Sequence, residues 1–274
     1  MKKELKDLLK KHDAKPSRGL GQNFLINKGV LSTIVKASEI KKDDLILEVG
    51  PGMGILTKEL SALAKKVISV EKDRKMIEIL EETVLKENDN VEVLNEDILK
   101  YQPPSQKYKI VANIPYYLTS PLIRKFLEAE NPPSLMVLMI QKEVAQRICS
   151  KPPQMSLLAV SVQVYAKPEI ISYVKKGSFW PSPKIDSAII KISDIKNNNL
   201  DFDKNTFFKI LKAGFSQPRK QLGNNLSTSL KIEREKINQW LLKNNIDPKQ
   251  RSETLNLFNW KDLAKSYNLM ANSK

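Results

Sequence analysis

Seven short apolar segments between residues 45 and 192, most of them separated by stretches of helical period, restrict what this chain can fold into. The segments are 45–49, 67–70, 91–94, 109–112, 135–140, 168–174 and 185–192. Runs of this length bounded by turn residues read as buried strands. Strands alternating with helices give a mainly parallel sheet covered on both faces, an α/β, Rossmann-like architecture. Helices are expected over 2–11, 28–38, 57–63, 73–85, 119–129 and 142–149. The polar stretch Asp194–Asn199 reads as a linker. Beyond it only helical periods remain, near 204–215, 218–229, 233–245 and after Trp260. The expectation is therefore two domains: residues 1–195, opening with a basic segment 1–28, and a smaller all-helical domain over 196–274.

Charge narrows the partner. The chain carries a net +15. Residues 1–28 hold 8 Lys/Arg against 3 Asp/Glu, and residues 200–274 hold 14 against 7, so most of the excess lies at the two ends. Such self-repulsion points to a polyanion, nucleic acid ahead of an acidic membrane surface. No apolar run approaches a membrane span, and MKKELKDLLKK lacks the apolar region of a signal peptide. The one cysteine, Cys149, fits a reducing cytosol and reads as a core residue beside Val144 and Ile148. The one histidine, His12, lies in the N-terminal tail, which leaves no histidine base or histidine-ligated metal for the core. No metal is expected.

Four strand ends carry polar or glycine signals: Glu48 with Gly50, Glu71, Asp97 and Asn113. In an open α/β sheet ligands bind outside the carboxyl ends of the strands. Glu71, 21 residues after Gly50, is placed to accept both hydroxyls of an adenosine ribose. Asp97 is placed to accept from an adenine amine. A dinucleotide site asks for G-x-G-x-x-G; here Ile55 stands at the last glycine of G-P-G-M-G-I, and Asp97 is an extra acid. Both differences favour S-adenosylmethionine, a ligand without pyrophosphate, and so a class I methyltransferase domain.

Asn113-Ile114-Pro115-Tyr116 follows the fourth strand. An adenine N6 amine is a poor nucleophile because its lone pair is delocalised into the ring. The amide oxygen of Asn113 and the carbonyl of Ile114 can accept its two N–H bonds and aim the lone pair at a methyl group. Pro115 offers no competing N–H and stiffens the turn. Tyr116 offers a face for a flipped base. Phe179, in the proline-rich stretch Phe179–Lys184, stands equally as a second stacking residue or a core residue. Tyr108 and Tyr117 read as core or edge residues. C5 pyrimidine methylation would need a cysteine nucleophile and is disfavoured.

Taken together, Gln22-Asn23-Phe24-Leu25, Glu48-Val49-Gly50-Pro51-Gly52, Asn113-Ile114-Pro115-Tyr116, Gln141-Lys142-Glu143-Val144, the stretch from Phe179 to Ala188, and Phe215-Ser216-Gln217-Pro218-Arg219-Lys220 resemble the bacterial ribosomal RNA adenine N6-dimethyltransferases. The likeness runs from about residue 15 to 270. It implies a cytoplasmic, monomeric enzyme that uses S-adenosylmethionine to place two methyl groups on each of two adjacent adenosines in the 3′-terminal hairpin of small-subunit rRNA, within an assembling subunit. It implies donor contacts from Asn23, Leu25, Gly50, Glu71, Asp97 and Asn113. The target amine would be held by Asn113, Ile114, Pro115 and Tyr116, with Phe179 stacking. The basic residues Arg18, Lys184, Arg219 and Lys220 are the candidate RNA contacts. The chain departs from the family pattern at Lys151–Leu157 and at Pro218. A macrolide-resistance-type methyltransferase of large-subunit rRNA and a non-catalytic RNA-binding assembly factor are the alternatives. The Phe-x-Gln-x-Arg-Lys segment disfavours the first, and the intact Asn-Ile-Pro-Tyr with both acids disfavours the second.

Overall fold

The structure, a computed structural model, describes residues 2–17, 19–196 and 201–272; Arg18 lies outside them. Nine strands form in chain order: β1 (Phe24–Leu25), β2 (Leu45–Val49), β3 (Lys66–Glu71), β4 (Val91–Asn95), β5 (Lys109–Asn113), β6 (Leu135–Gln141), β7 (Lys167–Val174), β8 (Phe179–Trp180) and β9 (Ser187–Ser193). Seven of them make one sheet in the order β4-β3-β2-β5-β6-β9-β7. β2, β3, β4, β5 and β6 run parallel to one another, and β9 inserts antiparallel between β6 and β7. β2 and β6 are buried along nearly their whole length, as strands covered on both faces must be. Burying each Ile, Leu or Val there stabilises by about 1.5–3 kcal/mol. β1 and β8, two residues each, pair antiparallel as a separate ribbon that the sequence pattern did not reveal.

The first six helices are α1 (Lys2–Lys11), α2 (Lys28–Ala37), α3 (Ile55–Ser61), α4 (Arg74–Leu80), α5 (Thr119–Leu127) and α6 (Lys142–Ile148). Asn27 caps α2 by accepting from Gly29 and Val30 N–H, and Asp73 caps α4 by accepting from Lys75 N–H. The expected helix over 73–85 is α4 followed by a π-helical turn, Glu81–Leu85. At the foot of β5 the ammonium of Lys109 is buried, donating to the Ser38 carbonyl at 3.3 Å and to Asp44 Oδ2 at 2.7 Å.

Two compact units are present, one of residues 1–145 with 166–196, the other of residues 146–165 with 197–274. The second holds α7 (Leu157–Gln163), α8 (Lys204–Gly214), α9 (Leu222–Leu230), α10 (Arg234–Lys243) and α11 (Leu257–Asn272). Its core includes Phe207, Leu211, Leu226, Trp240 and Trp260, with Phe215 stacked on Trp260 at 5.4 Å between centroids. Helix α7 is absent from the sequence reading. Ser156, in the stretch that departs from the family pattern, caps it by accepting from Ala159 N–H at 3.0 Å. The helix expected at 218–229 starts only at Leu222. Asn225 donates to the carbonyls of Gly214 (2.7 Å) and Gln217 (3.0 Å), which holds Gln217–Lys220 as a turn with Arg219 and Lys220 exposed. Cys149 is half-buried rather than a core residue, because it lies one position beyond the last turn of α6, where Ile148 takes the buried place.

Gly54 starts α3 with φ +76°, in the left-handed region. A Cβ there would stand 2.3 Å from Val84 Cγ2 and 2.9 Å from Leu80 Cδ2. Gly54→Ala therefore combines backbone strain with overpacking and should cost about 3 kcal/mol. The check is a lowered urea midpoint with an unchanged slope.

Candidate active site

The chain runs outward from β2 through β3 to β4, then places β5 on the other side of β2. The carboxyl ends of β2 and β5 therefore flank the topological switch point, where such sheets bind ligands. Gly50 leaves β2 there and Asn113 ends β5 there. The cleft at this point has a cavity volume of about 170 Å³ and opens to solvent. Asn23, Leu25, Gly50, Glu71, Asp97, Asn113, Ile114, Pro115, Tyr116 and Phe179 all line it. Lys184 is exposed elsewhere in the same unit, and Arg219 and Lys220 belong to the helical unit.

Glu71 ends β3 as a buried carboxylate. Its Oε2 accepts from Gly52 N–H at 3.1 Å and its Oε1 from Asp73 N–H at 2.8 Å. Burial pushes its pKa above the usual carboxylate range, while those two backbone donors pull it down. Asp73 in turn accepts from Gln22 Nε2 at 2.8 Å, and Gln22 Oε1 accepts from Ser17 N–H at 2.7 Å. The N-terminal segment is thereby fastened beside the cleft. Residues of α1 and the turn after it complete the fastening: Leu5 and Leu9 pack with Met76 and Ile79 of α4, and Lys11 and His12 pair with Glu82. Gln22 entered the sequence reading only as part of a motif; its role depends on a partner 51 positions away.

Gly52 has φ +57°, and a Cβ on it would meet the Phe24 ring at 3.1 Å, so backbone here comes close to the cleft where a side chain could not fit. Asp97, after β4, accepts from Lys72 Nζ at 2.9 Å and from Leu99 N–H at 3.0 Å. The Lys72 ammonium is the main reason its pKa lies below the ordinary value. Asn113 donates from Nδ2 to the Asn23 carbonyl at 3.1 Å, which leaves Oδ1 as the acceptor end of the amide. Tyr116 lies with its hydroxyl 2.8 Å from Ser187 Oγ. Burial raises its phenol pKa, so it stays neutral near pH 7. Phe179 is 3% exposed, and the β1–β8 ribbon sets Leu25 opposite Phe179. It is thus a core residue and a wall of the cleft at once. Tyr117 corrects the sequence reading: it is 54% exposed and lines the cleft, because the 3₁₀ turn Tyr116–Leu118 carries it outward, whereas Tyr108 is buried.

The ribosomal RNA adenine dimethylase family model matches residues 14–263. The chain belongs to that family. It is 42% identical over 270 residues to ribosomal RNA small subunit methyltransferase A of Dehalococcoides mccartyi, covering 96% of this chain and 92% of the relative. It is 38% identical to the protein of the same name from Clostridioides difficile, covering 98% and 96%. Among solved structures, a dimethyladenosine transferase from Plasmodium falciparum aligns with a TM-score of 0.77 at 30% identity, covering 90% of this chain and 98% of that one. The 23S rRNA methyltransferase ErmE aligns with a TM-score of 0.72 at 25% identity, covering 90% and 100%.

Glu48, in β2, is fully buried, and its Oε2 accepts from Ser69 Oγ at 2.8 Å. Burial pushes its pKa from 4.5 up to about 7 against the pull of the hydroxyls. Between those two pH values the unfolded chain has released this proton and the folded chain still holds it. Stability therefore falls as pH rises from 4.5 to about 7 and levels off above. Glu48→Gln should remove a decline on the order of 3 kcal/mol across that window, measured as the difference in urea unfolding free energy at its two ends.

Proposed function

We propose that this protein is an S-adenosylmethionine-dependent methyltransferase that dimethylates N6 of two adjacent adenosines in the 3′-terminal hairpin of small-subunit rRNA. The single observation that carries the reading is the amide of Asn113. It is turned by the Asn23 carbonyl so that its oxygen serves as acceptor in a cleft also lined by Ile114, Pro115 and Tyr116.

The donor fits the cleft. The glycine approach at Gly52 gives it a close backbone wall. Glu71 keeps lone pairs beyond the two backbone donors it already accepts, as an acceptor for ribose hydroxyls requires. Asp97, held by Lys72 and Leu99 N–H, has the same spare capacity for an adenine amine. Asn23, Leu25 and Gly50 supply further wall on the donor side. S-adenosylmethionine, when bound, supplies an electrophilic methyl group on a sulfonium centre.

The chain's own residues do the rest. Asn113 Oδ1 and the Ile114 carbonyl accept the two N–H bonds of the target amine and so localise its lone pair. Pro115 fixes the turn that presents them. Tyr116, anchored through Ser187, and Phe179 hold the base between two aromatic walls. Tyr116 is kept neutral by burial and so positions the base rather than removing a proton. Positioning and fixed dipoles supply the rate gain. Cys149 is not among the cleft residues, consistent with direct attack by the amine.

The exposed Lys184, Arg219 and Lys220, with Arg18, support RNA recognition, and the charged ends support a substrate presented within an assembling small subunit in the cytosol. We read the enzyme as a monomer. No helix among the described residues is long and apolar enough to cross a membrane.

The test is mass spectrometry of small-subunit rRNA after incubation of under-methylated subunits with the protein and labelled donor. N6-dimethyladenosine in the terminal hairpin is the expected product; label confined to large-subunit rRNA, or none, overturns the reading. Asn113→Ala should lower kcat at least about a hundredfold, the scale for losing an electrostatic or positioning contact to the reacting group. Donor affinity by calorimetry should fall less in that variant than in Glu71→Ala.

A further inference from the structure

At the carboxyl end of the sheet lies a group of side chains that methyl transfer does not use. Tyr173, near the end of β7, pairs with Ala188 of β9 yet is 53% exposed. Lys142, the residue directly after β6, holds its Nζ 5.2 Å from the centre of the Tyr173 ring. Lys175 and Lys176 follow β7 and are exposed, the Lys175 side chain at 89%.

Asp186 ties these elements together. Its Oδ1 accepts from Lys176 N–H at 3.0 Å, and its carbonyl accepts from Lys142 N–H at 3.1 Å. The next residue, Ser187, pairs with Val174 of β7 and Gln141 of β6 and holds the Tyr116 hydroxyl. The loop from Lys175 to Asp186 also carries Phe179, a wall of the cleft. Tyr173 is therefore one pairing step from the residue that anchors Tyr116.

Lysines on an edge strand discourage pairing with another sheet. That accounts for Lys167 at the start of β7. It does not account for a half-exposed ring with a lysine from a different element over it. An aromatic ring flanked by cations is what unstacked bases and their phosphates bind. An adenine drawn into the cleft leaves its neighbours unstacked at the rim.

We propose that Tyr173, with Lys142, Lys175 and Lys176, is a docking platform for the single-stranded RNA that flanks the target adenine. A neighbouring base stacks on the exposed part of the Tyr173 ring, and the lysines take the adjoining phosphates. The platform rests on the reading of the cleft as an RNA methyltransferase site and adds the surface that presents substrate to it.

The experiment compares wild type with Tyr173→Ala, Tyr173→Phe, a Lys175→Glu/Lys176→Glu double variant, and Lys107→Glu as a control outside the patch. Binding of a ten-nucleotide adenine-containing single-stranded RNA is followed by fluorescence anisotropy over a salt series, and turnover is measured on under-methylated small subunits. Tyr173→Ala should weaken RNA binding about tenfold, with Tyr173→Phe near wild type, because stacking needs the ring and not the hydroxyl. The double lysine variant should flatten the slope of log affinity against log salt by about 1.4, the share of two single-strand phosphate contacts. In turnover the KM for subunits should rise in Tyr173→Ala while kcat changes by less than about twofold, and donor affinity should match wild type, as for lost binding away from the reacting atoms. RNA affinity unchanged in Tyr173→Ala overturns the platform. So does an equal loss in Lys107→Glu, or a matching fall in donor affinity, which would mark a structural role. A concentration-dependent dimer that Tyr173→Ala abolishes in ultracentrifugation also overturns it, in favour of strand pairing between copies. Wild-type protein that binds RNA through Tyr173 but methylates no subunit would overturn the methyltransferase reading and leave the platform standing.

Discussion

The carboxylate of Glu71 is the constraint on which the cleft depends. It is buried where burial alone would drive it to take up a proton, and two backbone N–H groups, from Gly52 and Asp73, oppose that. Each donor belongs to a segment the cleft needs. Gly52 lies in the turn after β2, and Asp73 caps α4 and accepts from Gln22, which brings the N-terminal segment alongside. One acidic group thus fixes the geometry of the glycine turn, the start of a helix and a stretch of chain some fifty residues earlier. Such a group is expensive to bury and valuable once its donors are in place, because a half-satisfied site would be worse than an apolar one.

The half of the cleft around Asn113 and Tyr116 is organised differently. There the polar groups are neutral, and their orientation comes from neighbours rather than from charge. Asn113 is turned by the Asn23 carbonyl, and Tyr116 is held by Ser187. A neutral, fixed amide can accept from an amine without being reorganised during reaction. In the reading proposed above, acids would hold the donor side and uncharged acceptors the target side. The adenine dimethylase family model spans almost the whole chain.

Much of this was legible in advance because the signals are local. Strand ends marked by Glu71, Asp97 and Asn113 show in the sequence, and topology carries them to one crevice. What escaped has a common cause. The β1–β8 ribbon is two residues per strand, too short for any period to register. Helix α7 follows a proline-rich turn and spans only seven residues. The start of α9 was misplaced because a side chain, Asn225, captures the Gln217 carbonyl across eight positions and turns the chain. For Tyr117 and Phe179, an aromatic in a short turn or two-residue strand carries no period that says which way it will face.

By itself, the sequence determined the alternation of strands and helices, the choice of an adenosyl donor over a dinucleotide, and the Asn-Ile-Pro-Tyr turn, since each is written in residue types at short spacing. The tertiary structure alone decided which acids share partners and which way the Asn113 amide points. It also decided that Gln22 meets Asp73, and that Lys142 lies over the Tyr173 ring. Those outcomes rest on contacts between segments far apart along the chain, and hydrogen-bond direction and burial exist only once the sheet has brought such segments together.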